Sequence, residues 1–321
     1  MRAVVFTRYG SPDGLSLQDR PIPEPRAGEV LVRVHAASLN EWDWSALHGR
    51  PWINRFIFGL RSPRRQVLGT DIAGVVERVG PGVTRFKPGD AVMGDLTGTW
   101  GALADYACAR EQQLRPKPEG LSFEQAAAMP QAGLLAWQAL RDFKLLQPGK
   151  SLLINGGGGG VGTFAIQIAK SYGMHVIAVD APAKLAALRA LGADEVIDYT
   201  REDFTTHTAR YAHILDVRTT RPLRAYAQAL KQDGVYVTVG GDLDRLLQVY
   251  LTGSWRWHSS RKHLRILALK ANEGLDELCA MFASGVLKPV IDRSFPLANT
   301  ADAFRHYGTT PFVGKIVVTL G

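Results

Sequence analysis

Six glycines stand among the seven residues 156–162, in an order that could bind phosphate. Three of them fit the spacing G-x-G-x-x-G, which binds dinucleotides when it follows a strand and opens a helix. The first would allow a tight turn, the second would let backbone amides approach a pyrophosphate, and the third would let helix and strand pack closely. The helix N-terminus would then face the negative charge. The predicted phosphate-binding residues are Gly157, Gly159, Gly160, Val161 and Gly162, with Gly157, Gly159 and Gly162 as the motif glycines. A flexible glycine linker, the alternative, would not stand between a buried strand and an amphipathic helix.

Asp180 and Lys184 follow the next apolar run and could choose between two cofactors. Asp180 stands eighteen residues after Gly162, where a carboxylate would accept hydrogen bonds from ribose hydroxyls and favour NADH. Lys184 could instead reach a 2′-phosphate and favour NADPH. Asp180 could also serve only as the cap of the following helix. We therefore predict a nicotinamide dinucleotide, and the choice between NADH and NADPH stays open.

The elements around the glycines alternate between strand and helix from residue 151 onward. The apolar strands are predicted at 152–154, 176–179, 195–197, 213–216 and 235–239, and the helices at 161–172, 183–191 and 222–231. Strands that are apolar throughout are buried on both faces, as in a parallel sheet covered by helices. The fold class is therefore predicted to be α/β, with a doubly wound Rossmann domain.

The first 120 residues differ, because short β-rich runs such as 29–35 and 71–77 alternate there with Gly and Pro. A helix, a strand near residue 290, a second helix and a last strand at 315–319 are predicted in the tail. A chain of 321 residues exceeds the usual size of one core. Two domains are therefore expected, one β-rich and one doubly wound.

Charge and cysteine content narrow the function classes. The net charge is +8, and its densest cluster is Arg55, Arg61, Arg64 and Arg65. Such charge could attract an anionic ligand or surface, but a solvated surface is the simpler interpretation. Only Cys108 and Cys279 are present, too few for a disulfide framework or a four-cysteine metal site. Without a long apolar segment or signal pattern, we expect a cytoplasmic protein with no membrane partner, and nucleic acid is not the expected partner.

The chain resembles the zinc-independent, quinone oxidoreductase-like branch of the medium-chain dehydrogenase/reductase family over essentially its whole length. The matching segments are residues 20–25, 28–32, 38–43, 68–74, 79–90, 132–137, 159–162, 191–199 and 314–318. The resemblance implies a GroES-like β-rich catalytic domain from 1–122 and 266–321, with a Rossmann domain at 123–265 between the two parts. It also implies a homodimer, and a cleft between the domains where coenzyme and substrate meet.

Zinc-dependent relatives of this family hold their metal with a Cys, a His and a second Cys. At the matching positions this chain carries Asn40, Thr70 and, approximately, Ala132. None of these can replace a thiolate or imidazole in a tetrahedral zinc site. We therefore expect no zinc and no other catalytic metal, with the cofactor NADH or NADPH alone supplying the redox chemistry.

Asn40, Asp43 and Thr70 are the predicted catalytic residues. Asn40 and Thr70 occupy the positions of lost metal ligands, so they should face the cleft and could stabilise charge that develops on a substrate oxygen. Asp43 matches the family's Asn-x-x-Asp pattern and could orient a donor or relay a proton. The alternative for Asp43 is a structural hydrogen bond within the β-rich domain, and for Asn40 and Thr70 it is satisfaction of the backbone.

Aromatic side chains are frequent in the loops 42–58, 100–106 and 250–257, which suits a small hydrophobic or aromatic substrate. Packing in the core or in a dimer interface is the alternative. We expect an NAD(P)H-dependent reductase of a conjugated carbonyl, either a quinone or an activated alkene. Reduction of an isolated carbonyl, oxidation of an alcohol without metal, and nucleotide binding without turnover remain alternatives.

Overall fold

Two large sheets and one small sheet organise the computed structural model, which describes residues 1–253 and 261–321. Its strands are β1 (Arg2–Val5), β2 (Ser16–Asp19), β3 (Glu29–Ser38), β4 (Asp71–Val79), β5 (Ala91–Asp95), β6 (Tyr106–Arg110), β7 (Leu114–Pro116), β8 (Ser151–Asn155), β9 (His175–Asp180), β10 (Glu195–Asp198), β11 (Tyr211–Asp216), β12 (Leu230–Thr238), β13 (His263–Ile266), β14 (Ile291–Pro296) and β15 (Lys315–Thr319). Its helices are α1 (Glu41–His48), α2 (Arg55–Phe58), α3 (Phe123–Ala128), α4 (Pro130–Asp142), α5 (Gly160–Ser171), α6 (Leu185–Ala190), α7 (Leu223–Ala229), α8 (Leu243–Thr252), α9 (Leu275–Ala283) and α10 (Thr300–Thr309).

The second half of the chain builds a six-stranded sheet in the order β10-β9-β8-β11-β12-β13. Every neighbouring pair in it is parallel. Counted from β8, this is the order 3-2-1-4-5-6 of a doubly wound dinucleotide-binding sheet. The interior residues of β8, Leu152 to Ile154, are fully buried, as expected for a strand covered on both faces. The predicted α/β class with a Rossmann domain is confirmed, and β8 and β11 flank the point where the strand order reverses.

The first part of the chain and the tail share a second sheet, in the order β14-β15-β3-β4-β5-β7, with β6 also paired to β3. The tail strand β15 lies antiparallel to β3 at its Ala36–Ser38 end. Residues that are nearly 280 positions apart therefore meet in one β-rich unit. The domain limits at 122 and 265 stay predictions, and β13, which pairs with β12, extends to Ile266.

Two helices differ from the sequence prediction. The predicted helix 222–231 ends at Ala229, because Leu230 is fully buried and pairs with Tyr211 in the sheet. The predicted helix 183–191 is a 3-10 turn (Pro182–Lys184) followed by α6. In the first case burial in the sheet outweighs the helix propensity of Leu and Lys. Across the described residues, no helix is both long and apolar enough to cross a membrane.

Candidate active site

The glycine loop leaves β8 at the point where the strand order reverses, and it ends in α5. Gly156 has φ +84, and its amide and that of Gly157 both donate to Val179 O at 3.0 Å. Gly156 therefore adopts the left-handed conformation, and Gly157 lies within the turn that Gly159 closes by donating its amide to Gly156 O at 3.2 Å. Gly157 also allows close packing, because a Cβ there would lie 3.1 Å from the Ala178 methyl group. Gly159 precedes the first residue of α5.

A side chain on three of these six glycines, Gly158, Gly160 and Gly162, would collide with the protein itself. A Cβ on Gly162 would lie 2.3 Å from Gly156 O, and one on Gly158 would lie 2.6 Å from Lys184 Cδ. A Cβ on Gly159 would meet nothing closer than Gly156 O at 3.6 Å. Gly162 is thus needed for packing, whereas the space beside Gly159 is open to a ligand. The first amides of a helix lack intrahelical acceptors, so this loop fits a pyrophosphate.

Asp180 supports the loop from the end of β9. Its Oδ2 accepts from the Gly158 amide at 2.8 Å, and its Oδ1 accepts from the Ala181 amide at 2.8 Å. Lys184 Nζ lies 3.3 Å from the same Oδ1 and 5.5 Å from the centre of the Phe312 ring. Asp180 is only 7% exposed. The structure therefore gives Asp180 a task that sequence reasoning missed, namely holding the loop through Gly158.

The loop is also joined to the tail strand of the other sheet. Gly314 donates its amide to Gly158 O at 2.9 Å, and Gly159 and Gly314 form an isolated parallel bridge. A Cβ on Gly160 would lie 2.7 Å from Lys315 Cδ and 3.2 Å from the Ala132 methyl group. Residues of both sheets therefore meet directly beneath the predicted pyrophosphate site.

A buried polar network lies behind this junction and includes two of the predicted catalytic residues. Its members are Ser38, Asn40, Thr70, Asp71, Gln131 and Lys315. Asn40 Nδ2 donates to Thr70 Oγ1 at 3.1 Å and to Asp71 Oδ2 at 2.9 Å. Gln131 donates its amide to Asp71 Oδ1 at 3.0 Å, and its Nε2 lies 3.5 Å from Thr70 Oγ1. Asn40 is 6% and Thr70 0% exposed. The two side chains contact each other in the interior, whereas we expected both to face the cleft.

Lys315 is the cation of this network, and sequence reasoning missed it. Its Nζ donates to Leu39 O at 2.9 Å and to Asn40 Oδ1, and lies 3.5 Å from Asp71 Oδ2. Burial lowers the pKa of Lys315, and the nearby carboxylates, Asp71 first, oppose that change. Because Lys315 occupies Asn40 Oδ1, the Asn40 amide nitrogen must point to Thr70 and Asp71. A lysine at the start of an otherwise apolar strand was the available signal.

Asp43 is fully buried and bound to backbone. Its Oδ2 accepts from the Asn40 amide at 3.0 Å and its Oδ1 from the Gly69 amide at 2.8 Å. Burial raises the pKa of Asp43 to about 7, although these two amides oppose the rise. These contacts match the structural alternative for Asp43, since they fix the start of α1 against the residue before Thr70. Its catalytic role stays a prediction.

The positions matching zinc ligands also converge. Asn40 touches Thr70, and Ala132 follows Gln131, which reaches both Thr70 and Asp71. The set thus offers an amide, a hydroxyl and a methyl group, none of which is a good zinc ligand. In residues 1–253 and 261–321, no group of three or more His, Cys, Asp or Glu side chains could hold a metal ion.

The aromatic loops divide into buried and exposed parts. Phe58 packs edge-on against Trp42 and Trp100, with ring centres 6.0 and 5.3 Å apart. Phe58 and Trp100 are buried, which matches the packing alternative for these two rings. Trp52 is 67% exposed. Trp255 and Trp257, predicted to line the substrate region, lie outside the described residues.

Two models of known protein families match the chain. Residues 26–119 match a model described as an alcohol dehydrogenase GroES-like domain, and residues 191–318 match one described as a zinc-binding dehydrogenase. A quinone oxidoreductase of Triphysaria versicolor, QR1, described as chloroplastic, is 34% identical over 99% of this chain and 98% of its own. A chloroplastic NADPH-dependent alkenal/one oxidoreductase of Arabidopsis thaliana is 33% identical over 99% of this chain and 79% of its own. A solved quinone oxidoreductase of Coxiella burnetii is 32% identical, with a TM-score of 0.88 over 100% of this chain and 99% of its own.

Proposed function

Because this chain belongs to the medium-chain dehydrogenase/reductase family, on its quinone oxidoreductase-like branch, we propose that it reduces a conjugated carbonyl, a quinone or an activated alkene, without a metal. The chain is an NAD(P)H-dependent oxidoreductase. The single observation that carries the finer proposal is the set of Asn40, Thr70 and Ala132 at the positions of zinc ligands. These three side chains are not suited to hold a metal that would bind an alkoxide. Hydride transfer to a conjugated acceptor, by contrast, needs only hydrogen-bond donors.

When bound, the reduced nicotinamide supplies the hydride. As hydride adds to the far carbon of an enone, an electron pair moves to the carbonyl oxygen, which needs a donor. The Thr70 hydroxyl accepts from Asn40 and keeps its own proton to donate. We propose that the substrate oxygen replaces the Gln131 amide, whose 3.5 Å contact is the longer of the two side-chain contacts that Thr70 makes in the network. Water then delivers a proton to the carbon that lies between the hydride-accepting carbon and the carbonyl carbon.

The dinucleotide is held by the glycine loop, and we propose that both NADH and NADPH are accepted. Asp180 would normally reject a 2′-phosphate, but its two oxygens already accept from the backbone amides of Gly158 and Ala181. Lys184 stands beside it as a cation for that phosphate. One relative is named an NADPH-dependent enzyme, which agrees with this assignment.

Steady-state turnover of an enone and of the matching saturated ketone tests the reaction. We expect NADPH-dependent reduction of the enone and of a quinone, and little turnover of the ketone. Preference for the ketone would mean ordinary carbonyl reduction. If no member of a broad panel were reduced while NADPH still bound, the alternative of a nucleotide-binding protein without turnover would stand instead.

Substitution of Thr70 tests the proposed charge stabilisation. T70V keeps the shape and removes the hydroxyl, and we expect kcat to fall by about a hundredfold, the cost of losing one such donor. T70S, the matched control, keeps the hydroxyl and should keep most of kcat. Equal kcat values for the two variants would contradict the role of Thr70. The homodimer, the small hydrophobic substrate and the cytoplasmic location stay predictions.

A further inference from the structure

An exposed cationic and apolar surface lies on residues 50–65, outside the glycine loop and the buried polar network; we call it the arginine-aromatic patch. Its exposed apolar side chains and their exposed fractions are Trp52 (67%), Ile53 (46%), Phe56 (58%), Ile57 (67%) and Leu60 (59%). Trp52 and Phe56 are four positions apart in the sequence, and the centres of their rings lie 5.6 Å apart. Single exposed apolar residues are ordinary, but five within nine positions indicate a surface that binds something.

The patch is firmly attached to the protein. Phe58, between the exposed residues, is buried against Trp100. Tyr9 donates its hydroxyl proton to Gly59 O at 2.5 Å, and the Arg55 guanidinium lies 4.7 Å from the centre of the Tyr9 ring. The exposed side chains are therefore presented by an anchored segment.

The charge of the patch has one sign. Between Asp43 and Asp71 there is no Asp or Glu, whereas five arginines occur, so residues 44–70 carry five of the eight net positive charges. None of these arginines forms an ion pair with a carboxylate in the described part of the chain. The arginines are Arg50, Arg55, Arg61, Arg64 and Arg65. Their charge is left for an anionic partner.

We propose that the arginine-aromatic patch docks on an anionic lipid surface, with its apolar side chains inserted among the lipids. Aromatic and aliphatic side chains flanked by arginines are the combination that binds a lipid interface. A second copy of this chain fits poorly, because a twofold interface would place five arginines against five arginines. Nucleic acid would use the arginines but leave Ile53, Ile57 and Leu60 without a partner. The absence of a long apolar segment argues only against a membrane-spanning helix.

The patch is continuous in sequence with the buried polar network. The chain leaves the network at Asn40, forms the patch, and returns at Thr70. A lipid-dissolved quinone or enone would thus meet the protein on the segment that joins two network residues, and this benefit rests on the proposed function. The docking itself does not.

Vesicle binding by the whole protein, without substrate or cofactor, tests the proposal. We expect sedimentation with vesicles of phosphatidylcholine and phosphatidylglycerol, weakened by salt, and little with phosphatidylcholine alone. R61A/R64A should lower the partition coefficient about thirtyfold, because each arginine near an anionic surface contributes roughly fivefold. The matched control R224A/K231A removes two exposed cations from the Rossmann domain and should bind like the wild type.

The apolar contribution is tested by W52E/I57E, with I22E as control because Ile22 is 43% exposed elsewhere. W52E/I57E should abolish binding, and I22E should not. Retained binding by W52E/I57E, or no binding of the wild type to anionic vesicles, would overturn the proposal. Loss of a dimer in W52E/I57E would also overturn the proposal, because it would identify a second copy of the chain as the occupant. Salt-sensitive RNA binding that only R61A/R64A removes would overturn it as well. Since no turnover is measured, none of these outcomes depends on the proposed reaction.

Discussion

Alanine substitutions at Gly159 and Gly162 separate the two tasks of the glycine loop. In G162A the new methyl group would stand 2.3 Å from Gly156 O and 2.5 Å from Gly157 Cα, both of them backbone atoms. Overpacking of this kind costs about 1–3 kcal/mol, more than the 0.5–1 kcal/mol that alanine gains over glycine in a helix. In G159A the atom nearest to the new methyl group would be 3.6 Å away. Residue 159 has φ −77, which alanine adopts readily, so the free protein has room for the methyl group.

Alanine at the position before a helix lowers the free energy of unfolding, because it caps the helix poorly. Alanine also restricts the unfolded chain, which raises the free energy of unfolding. Each effect is about 1 kcal/mol, so the two nearly cancel in G159A. We therefore expect G162A to lower the urea midpoint clearly and G159A to leave it nearly unchanged. In fluorescence titrations, G159A should bind NADPH at least tenfold more weakly than the wild type, although the variant is folded. G159A binding like the wild type would refute the close approach of a pyrophosphate, and a fully stable G162A would refute the packing argument.

Three further predictions concern buried ionisable side chains. D180A should weaken binding of NADH and NADPH, because the Gly158 amide loses its acceptor, and it should raise the NADPH preference by releasing Lys184; an unchanged ratio in fluorescence titrations would contradict this. Burial, with a smaller contribution from Lys150, lowers the pKa of His213 to about 4, so the unfolded chain, with a value near 6.5, takes up the proton first as pH falls. The wild type should therefore lose about 2 kcal/mol between pH 7 and pH 5 relative to H213L, in urea unfolding, and parallel curves for the two proteins would contradict the assignment. K315M should cost about 3–5 kcal/mol by leaving Asp71 buried without its cation. The double variant K315M/D71N should cost clearly less than the two single costs added, and simple additivity would show that the two groups are not coupled.

The glycine loop was predictable because its signals are local. A strand, a glycine run and an amphipathic helix follow one another within some twenty residues, and the structure places them at the reversal of strand order as β8, the loop and α5. The details within the loop were less accessible. Which glycine adopts a positive φ, Gly156 and not Gly157, depends on hydrogen bonds to Val179 across the sheet.

The buried polar network was only half predictable, because its members come from distant parts of the chain. Asn40 and Thr70 were found through their positions in the family pattern. Lys315 lies 275 residues after Asn40, and no spacing rule connects the two. The pairing of the Asp95 backbone with the Asn272 side chain, 177 residues apart, was missed for the same reason. Contacts of this kind depend on the packing of the two sheets, which periodicity within one segment does not report.

The hydrogen bond between Gly314 and Gly158 has a consequence for the order in which the protein matures. Gly158 belongs to the middle of the chain, and its partner is made 156 residues later. A ribosome will have released the whole six-stranded sheet before β15 exists to support the loop. The parallel sheet can therefore form early, whereas a loop fully shaped for its dinucleotide is a late event that waits for β15 to dock.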